Sequence, residues 1–248
     1  MLFRSYWTLF PKSISQLCDD INKIDDYVAP RWLNPNNPYS SIVRHPGWVA
    51  EKISKKYKIK IAISPPHHLL NIKYSGPVLA QHVDDVKIGS TTGFVIPELL
   101  KESKISGSLI NHSEHRISPE QIKSLIDRLR NLNMISVVCV KDVDEVGKYA
   151  KMNPNYVAIE PPELIGSGKA VSTERPELIT DAVKSLNTAN SSAKLLCGAG
   201  IVSGNDVRKC IELGSSGILV ASGIIKAENW SAIVDEFAKA MLKTPSKR

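Results

Sequence analysis

Residues 154–168 read PNYVAIEPPELIGSG, and this stretch decides the fold class of the chain. Residues 155–159 combine tyrosine, valine and isoleucine without a charge, which is typical of a buried parallel strand. Glu160 follows at the carboxyl end of that strand, where α/β folds place their chemistry. Pro161 and Pro162 cannot continue the strand, because proline has no backbone N–H to donate.

Beyond the prolines, Gly166 and Gly168 bracket a short segment that can act as a hinge. A carboxylate beside a segment that is rigid at its start and flexible at its end predicts a general base under a lid. An ordinary strand and loop with a surface acid is the alternative interpretation of the same residues.

The chain continues this pattern on both sides of the stretch, with helical segments between most of the apolar runs. The helix that begins after Ser118 has the clearest signal, since Ser118 and Gln121 form a capping box and Pro119 stands at the first helical position. A second helix is predicted from Ser203 to a closing Gly214. The predicted strands after residue 58 are 59–63, 78–81, 107–111, 135–139, 156–160, 194–197 and 217–220.

Strands that alternate with helices predict a parallel sheet with helical crossovers. An eighth strand would close a (β/α)8 barrel, the TIM barrel, in which the first β/α unit is atypical or incomplete. The doubly wound open sheet is the structural alternative, but no strand is followed by its G-x-G-x-x-G fingerprint. We expect residues 58–248 to form most of a single barrel, and residues 1–57 to form an atypical first unit with an insertion at about 28–48.

Composition supports one globular α/β domain. The 248 residues are 42% hydrophobic and 23% charged, with a net charge of +7. This charge is compatible with anionic substrates, whereas the chain has no zinc-finger or RNA-binding motif and so predicts no nucleic-acid partner. No apolar segment is long enough to span a membrane, and the four cysteines lack C-x-x-C spacing. We expect buried free thiols, no membrane partner and a cytoplasmic location.

Three further strand ends carry candidate functional residues. Residues 107–116, GSLINHSEHR, place His112 where its ring can donate a hydrogen bond to a carbonyl oxygen. The spacing of His112, Glu114 and His115 does not match H-E-x-x-H, so it predicts no metal site. Small residues in CGAGIVSG at 197–204 and GILVASG at 217–223 let backbone N–H groups approach an anion, and two tight turns are the alternative interpretation.

Together and in this order, these motifs resemble triosephosphate isomerase in its short archaeal form. The similar segments are AQHVD at 80–84, TTGFV at 91–95, LINHSEHR at 109–116, VAIEPPELIGSG at 157–168, CGAGI at 197–201 and GILVASG at 217–223. The resemblance covers roughly residues 58–242. It implies a (β/α)8 barrel that interconverts dihydroxyacetone phosphate and glyceraldehyde 3-phosphate without a cofactor or metal.

The resemblance also implies a role for each matching residue. Glu160 would be the base, His112 the neutral electrophile that polarises the carbonyl, and Glu114 a supporting group. Residues 161–168 would form the closing lid. The resemblance further implies a dimer or tetramer, in which the TTGFV loop docks into a neighbouring subunit. The positions that would contact phosphate are Ile165, Gly166, Gly200, Ala221 and Ser222.

The N-terminus departs from the family pattern, which carries Asn-x-Lys on its first strand. The nearest match, LFRSY at 2–6, places Arg4 at the lysine position as a candidate cation, on a strand that we expect to be too short to pair fully. A surface arginine is the alternative interpretation of Arg4. The chain could therefore be an isomerase of reduced activity, or a catalytically impaired barrel that only binds phosphorylated metabolites. Another phosphate-handling barrel enzyme, of an indole or phosphoribosyl type, is a third interpretation.

Overall fold

The computed structural model describes residues 2–4 and 46–242, and the described part is a parallel eight-stranded barrel surrounded by helices. The predicted (β/α)8 barrel is therefore confirmed. The strands are β1 Leu2–Arg4, β2 Ala62–Ser64, β3 Leu79–Ala80, β4 Gly107–Ile110, β5 Ile135–Val140, β6 Tyr156–Ile159, β7 Lys194–Cys197 and β8 Gly217–Val220.

The barrel closes where the first and the last strand of the hydrogen-bonded order meet. The hydrogen-bonded order is β2-β1-β8-β7-β6-β5-β4-β3. A parallel bridge between Ile63 and Val78 joins β2 to β3 and completes the ring. The first strand, which we expected to be too short to pair fully, pairs on both sides of the seam: all three residues pair with β2, and Leu2 and Phe3 pair with β8. Leu2 pairs with Ala62 on one side and with Leu219 on the other.

The helices follow the strands as in a barrel of β/α units. Their bounds are α1 Pro46–Tyr57, α2 Pro97–Glu102, α3 Pro119–Asn131, α4 Val143–Ala150, α5 Val171–Glu174, α6 Pro176–Thr188, α7 Gly204–Glu212, α8 Ser222–Ile225 and α9 Trp230–Leu242. Both predicted helix starts are confirmed. Ser118 and Gln121 form the capping box of α3, and Ser203 and Asp206 form that of α7. Gly214 follows α7 with φ of +104°, a left-handed conformation that glycine adopts without a Cβ clash.

Two apolar layers stabilise the barrel. Alternate strand residues fill its interior, while the opposite faces of the strands pack against the helices. The interior residues are Leu79, Leu109, Val137, Cys139, Ala158, Leu196 and Leu219. Helix α9 turns four fully buried residues toward the core, namely Trp230, Val234, Phe237 and Ala238, whereas Ile233 and Met241 are only partly buried.

Helix α1 is attached to α9 by polar contacts. Lys56 Nζ donates a hydrogen bond to Asp235 Oδ1 at 2.7 Å, and the Tyr57 hydroxyl donates to the same oxygen at 2.9 Å. Residues 46–57 therefore pack on the barrel like the helix of a first β/α unit. The division of the chain at residue 57 stays a prediction, as does the insertion at about 28–48, most of which lies outside the described residues.

Three cysteines lie in the described part, and all of them are buried free thiols as predicted. A hydrogen bond with Cys197, together with burial, raises the pKa of the Cys210 thiol well above its usual range. The Cys210 thiol therefore stays protonated and behaves as a small apolar side chain.

Candidate active site

The loops at the carboxyl ends of the strands enclose a cavity of about 430 Å³. Eight of the nine predicted site residues line this cavity, although they come from four separate segments of the chain. They are His112, Glu114, Glu160, Ile165, Gly166, Gly200, Ala221 and Ser222. The ninth, Arg4, ends β1 opposite Ser64, and its side chain lies outside the described residues.

The hydrogen bonding of His112 identifies its tautomer. The backbone N–H of Glu114 donates to Nδ1 of His112 at 3.2 Å. Because a nitrogen that accepts a hydrogen bond carries no proton, the ring is neutral and its proton is on Nε2. The Glu114 carboxylate lies 3.8 Å from Nδ1, beyond hydrogen-bond range, so its backbone determines the tautomer.

Nε2 of His112 faces the carboxylate of Glu160 at 3.6 Å from Oε2. Both side chains are largely buried, with exposed fractions of 5% and 12%. The Glu160 backbone N–H donates to the carbonyl of Val140 at 2.9 Å, which extends the β6 ladder by one bond and holds the residue at the strand end. A donor and a carboxylate thus face the same small cavity, as a proton transfer beside a carbonyl group requires.

Asn111 supports the loop that carries His112. Its backbone has φ of +62°, a left-handed conformation that asparagine tolerates better than most residues. Its side-chain amide donates to the carbonyl of Cys139 at 3.0 Å, and its side-chain oxygen accepts from the N–H of Ile117 at 3.1 Å. The buried Asn111 side chain therefore joins the end of β5 to the segment that leads into α3. Sequence reasoning noted this residue at the strand end but assigned it no role.

The predicted lid begins with a short 3-10 helix at Pro162–Leu164. Gly166 and Gly168 follow with φ of +72° and +75°. A Cβ at either position would meet no atom within 4 Å, so the backbone conformation, and not crowding, favours glycine there. The geometry of the segment fits a hinged loop, and its mobility stays a prediction.

Gly200 lies under the far end of the lid. A Cβ on Gly200 would stand 1.8 Å from the carbonyl oxygen of Lys169, and φ at Gly200 is +70°. Just after the lid, the N–H of Val171 donates a hydrogen bond of 3.3 Å to the carbonyl of Ala199. The turn at 198–200 therefore supports the segment that follows the lid as well as the cavity, and a bulky residue at 200 would disturb both.

Sequence reasoning missed one charged residue of the cavity. Lys226 lines the wall beside Ala221 and Ser222. It stands four residues after Ser222, one helical turn away, and that spacing is the signal that could have identified it.

Other classes of site are not found in the described residues. Within 2–4 and 46–242, no three His, Cys, Asp or Glu side chains are grouped to hold a metal ion. No helix of that same part is long and apolar enough to cross a membrane.

Comparison with known proteins identifies the same family along most of the chain. The family model described as triosephosphate isomerase matches residues 36–237. A triosephosphate isomerase of Cenarchaeum symbiosum is 58% identical over 188 residues, which cover 75% of this chain and 84% of the relative. Those of Sulfurisphaera tokodaii and Methanothermus fervidus are 44% and 41% identical, covering 80% and 77% of this chain and 87% of each relative.

Proposed function

Because this chain belongs to the triosephosphate isomerase family, we propose that it interconverts dihydroxyacetone phosphate and D-glyceraldehyde 3-phosphate through an enediolate. The observation that carries the proposal is the pairing of a neutral His112, with its proton on Nε2, and the Glu160 carboxylate 3.6 Å away. A carboxylate base opposite a neutral imidazole is the known arrangement of this enzyme family.

In the proposed mechanism, Glu160 removes the proton from the carbon next to the carbonyl group and returns it to the neighbouring carbon. The Nε2–H of His112 donates to the carbonyl oxygen on which negative charge develops. His112 then gives this proton to that oxygen and takes up the proton of the neighbouring hydroxyl, so that the carbonyl group forms on the other carbon. Glu114 supports this step through its backbone N–H, which keeps the proton of His112 on the nitrogen that faces the cavity. The reaction is an isomerisation that needs no cofactor.

The phosphate group would bind at the part of the cavity wall that Gly200, Ala221 and Ser222 form. Backbone N–H groups of these turns can approach an anion closely because their side chains are small or absent. Ile165 and Gly166, at the cavity side of the lid, would close over the phosphate and exclude water from the enediolate.

We further propose that Arg4 supplies the fixed cation that the family's lysine would provide. The support for this proposal is the sheet register. Leu2 pairs with Leu219, which lies in the barrel interior. Arg4 stands two residues after Leu2 on the same strand and pairs with Ser64. Residues two apart on a strand share a face. Arg4 thus occupies an interior register position at the carboxyl end of β1.

The second candidate is a catalytically impaired barrel that binds phosphorylated metabolites. The observation that favours it is the absence of Asn-x-Lys before residue 58. An arginine is larger and planar, and it does not simply replace a lysine beside a reacting oxygen.

A coupled isomerase assay on the purified full chain separates the two candidates. The matched variants are Arg4→Ala and the double variant Leu2→Asn with Arg4→Lys, which restores the family pattern. We expect the parent to be a weak isomerase, Arg4→Ala to lose most of that activity, and the double variant to gain activity. A parent chain without turnover that still binds inorganic phosphate would overturn the isomerase proposal and support the binding module.

We also propose a cytoplasmic homo-oligomer, a dimer or tetramer. The loop from Asp84 to Val95 is closed at its base by a hydrogen bond of 2.7 Å from the N–H of Asp84 to the carbonyl of Val95. Two large apolar residues of this loop are exposed, Ile88 to 71% and Phe94 to 48%. Large exposed apolar side chains on a well-held loop favour a contact with a second copy. Light scattering of the parent and of Ile88→Lys tests this proposal, and the variant is expected to dissociate.

A further inference from the structure

We propose that Lys226 is a further substrate-binding residue, which attracts the phosphate dianion to the cavity and holds it beside Ala221 and Ser222. The inference rests on the proposed function, since it concerns the phosphate of the same substrate. It adds a side-chain cation to a site whose other proposed phosphate contacts carry no charge.

The proposal is supported by the charges of the residues that line the cavity. The described residues that line it include the carboxylates Glu114 and Glu160, while His112 is neutral. Lys226 is the one lysine or arginine among those described lining residues. Two carboxylates repel a phosphate dianion that enters the cavity. The positive charge of a nearby lysine attracts the dianion over several ångströms and offsets this repulsion.

The backbone of Lys226 is fixed next to the proposed phosphate contacts. Its backbone N–H donates to the carbonyl of Ser222 at 3.0 Å, so it lies directly over the predicted phosphate contact. Ile224 and Ile225 before it are buried, and the indole N–H of Trp230 donates to the carbonyl of Ile225 at 3.3 Å. The backbone at Lys226 is therefore held firmly in the cavity wall.

The side chain of Lys226 is available to bind an anion. Lys226 is exposed, and it makes no ion pair with the described residues 2–4 and 46–242. By contrast, Lys56 and Lys239 are both paired with Asp235. An exposed ammonium group without a carboxylate partner can turn toward an incoming phosphate at no cost in a broken ion pair.

The expected effect follows from this exposure. A hydrated lysine at the rim of a site contributes mainly to capture of the charged ligand, and salt screens its contribution. Removal of the charge should therefore raise KM for the phosphorylated substrate and leave kcat nearly unchanged. The loss should shrink as ionic strength increases.

The experiment compares Lys226→Gln with a matched control, Lys194→Gln. Lys194 is exposed at the amino end of β7, at the opposite end of the barrel, so both variants lose one positive charge from the whole protein. At low ionic strength we expect kcat/KM of Lys226→Gln to fall about three- to tenfold, with kcat within about twofold of the parent. Lys194→Gln should match the parent, and Lys226→Arg should restore most of the loss.

Titration with inorganic phosphate provides a readout that does not depend on turnover. Phosphate affinity should fall in Lys226→Gln and stay unchanged in Lys194→Gln. Equal phosphate affinity and equal KM in the two glutamine variants would overturn the inference, whereas the parent activity would still support the isomerase. A parent that lacks turnover, but whose phosphate affinity depends on Lys226, would overturn the proposed function and leave the role of Lys226 supported.

Discussion

A Cβ on Gly198 would lie 2.5 Å from both Cγ and Oε1 of Glu160, so the side chain of the proposed base occupies the space that the glycine leaves open. The two residues stand at the ends of neighbouring strands, and the Gly198 N–H donates to the carbonyl of Ile159 at 2.9 Å. The backbone at 198 is thereby held against the strand that carries the base. Room for the carboxylate is provided by a residue 38 positions later in the chain.

Replacement Gly198→Ala should therefore displace the carboxylate of Glu160 while the barrel stays folded. We expect kcat to fall by about 10- to 100-fold, because a misplacement of the order of 1 Å costs about this much. Phosphate inhibition should be nearly unchanged. The control is Gly147→Ala in α4, where the added Cβ would meet only the hydroxyl of Ser185, and equal losses in both variants would contradict the steric explanation.

Replacement Glu160→Gln keeps the size of the side chain and removes its basicity. We expect kcat to fall by about 10²- to 10⁴-fold, the usual contribution of a general base, provided that the parent is active. Calorimetry should show that inorganic phosphate binds as in the parent. A variant with near-normal kcat would show that Glu160 is not the base.

Asn111 can be tested with two replacements that differ in backbone freedom. Asn111→Gly keeps access to φ of +62° but loses both side-chain hydrogen bonds, whereas Asn111→Ala also forces a left-handed alanine. Both should lower kcat more than phosphate affinity, because His112 loses its support. The alanine variant should be less stable than the glycine variant by about 1 kcal/mol, as measured by urea unfolding. Unchanged kcat in both variants would show that the amide contacts are not needed to place His112.

The lid should become ordered when a ligand fills the cavity. Hydrogen exchange in residues 161–168 is expected to slow when 2-phosphoglycolate, a phosphorylated carboxylate that resembles the enediolate, is added. Exchange in α3 serves as the internal reference, since that helix lies outside the cavity. Equal protection of the lid with and without the ligand would contradict the hinge interpretation of Gly166 and Gly168.

Acid should destabilise the fold through His82. Burial, and the charge of His115 stacked 3.5 Å away, lower the pKa of His82 below its ordinary value of 6.5, although a hydrogen bond with Asp84 and that residue's charge act in the opposite direction. The unfolded chain thus binds the proton more readily than the folded one. Stability is therefore full above pH 6.5 and decreases as the pH falls through the lowered pKa of the folded state.

The measurement for His82 compares thermal unfolding at about pH 7.5 and about pH 5.5 in the parent and in His82→Gln. Glutamine can still donate to Asp84 but does not titrate. The variant should lose less stability than the parent over this interval. The His67 side chain approaches the carbonyl of His82 at 3.1 Å, so His67→Gln is a suitable control for a second nearby imidazole. Equal losses in the parent and in His82→Gln would contradict the assignment.

Apolar runs and capping residues, which are local features of the sequence, were enough to predict several strands and helix starts. The bounds of β7 and β8 were predicted to the residue, and the helix start at Ser118 was confirmed by its capping box. The strand predicted at 59–63 lies instead at Ala62–Ser64. Its apolar residues before position 62 leave the strand ladder because barrel closure, and not local pattern, decides where pairing with β1 begins.

Strand and helix patterns are local properties, so they predicted the order of the elements and the barrel, while the resemblance to the family supplied eight of the residues that line the cavity. The folded barrel alone shows that Leu2–Arg4 fills the seam, that the proton of His112 is on Nε2 and that Gly198 makes room for Glu160. Each of these depends on distances set when the curved sheet closes on itself. Closure brings residues from different segments within a few ångströms of one another, and spacing along the chain does not encode such distances.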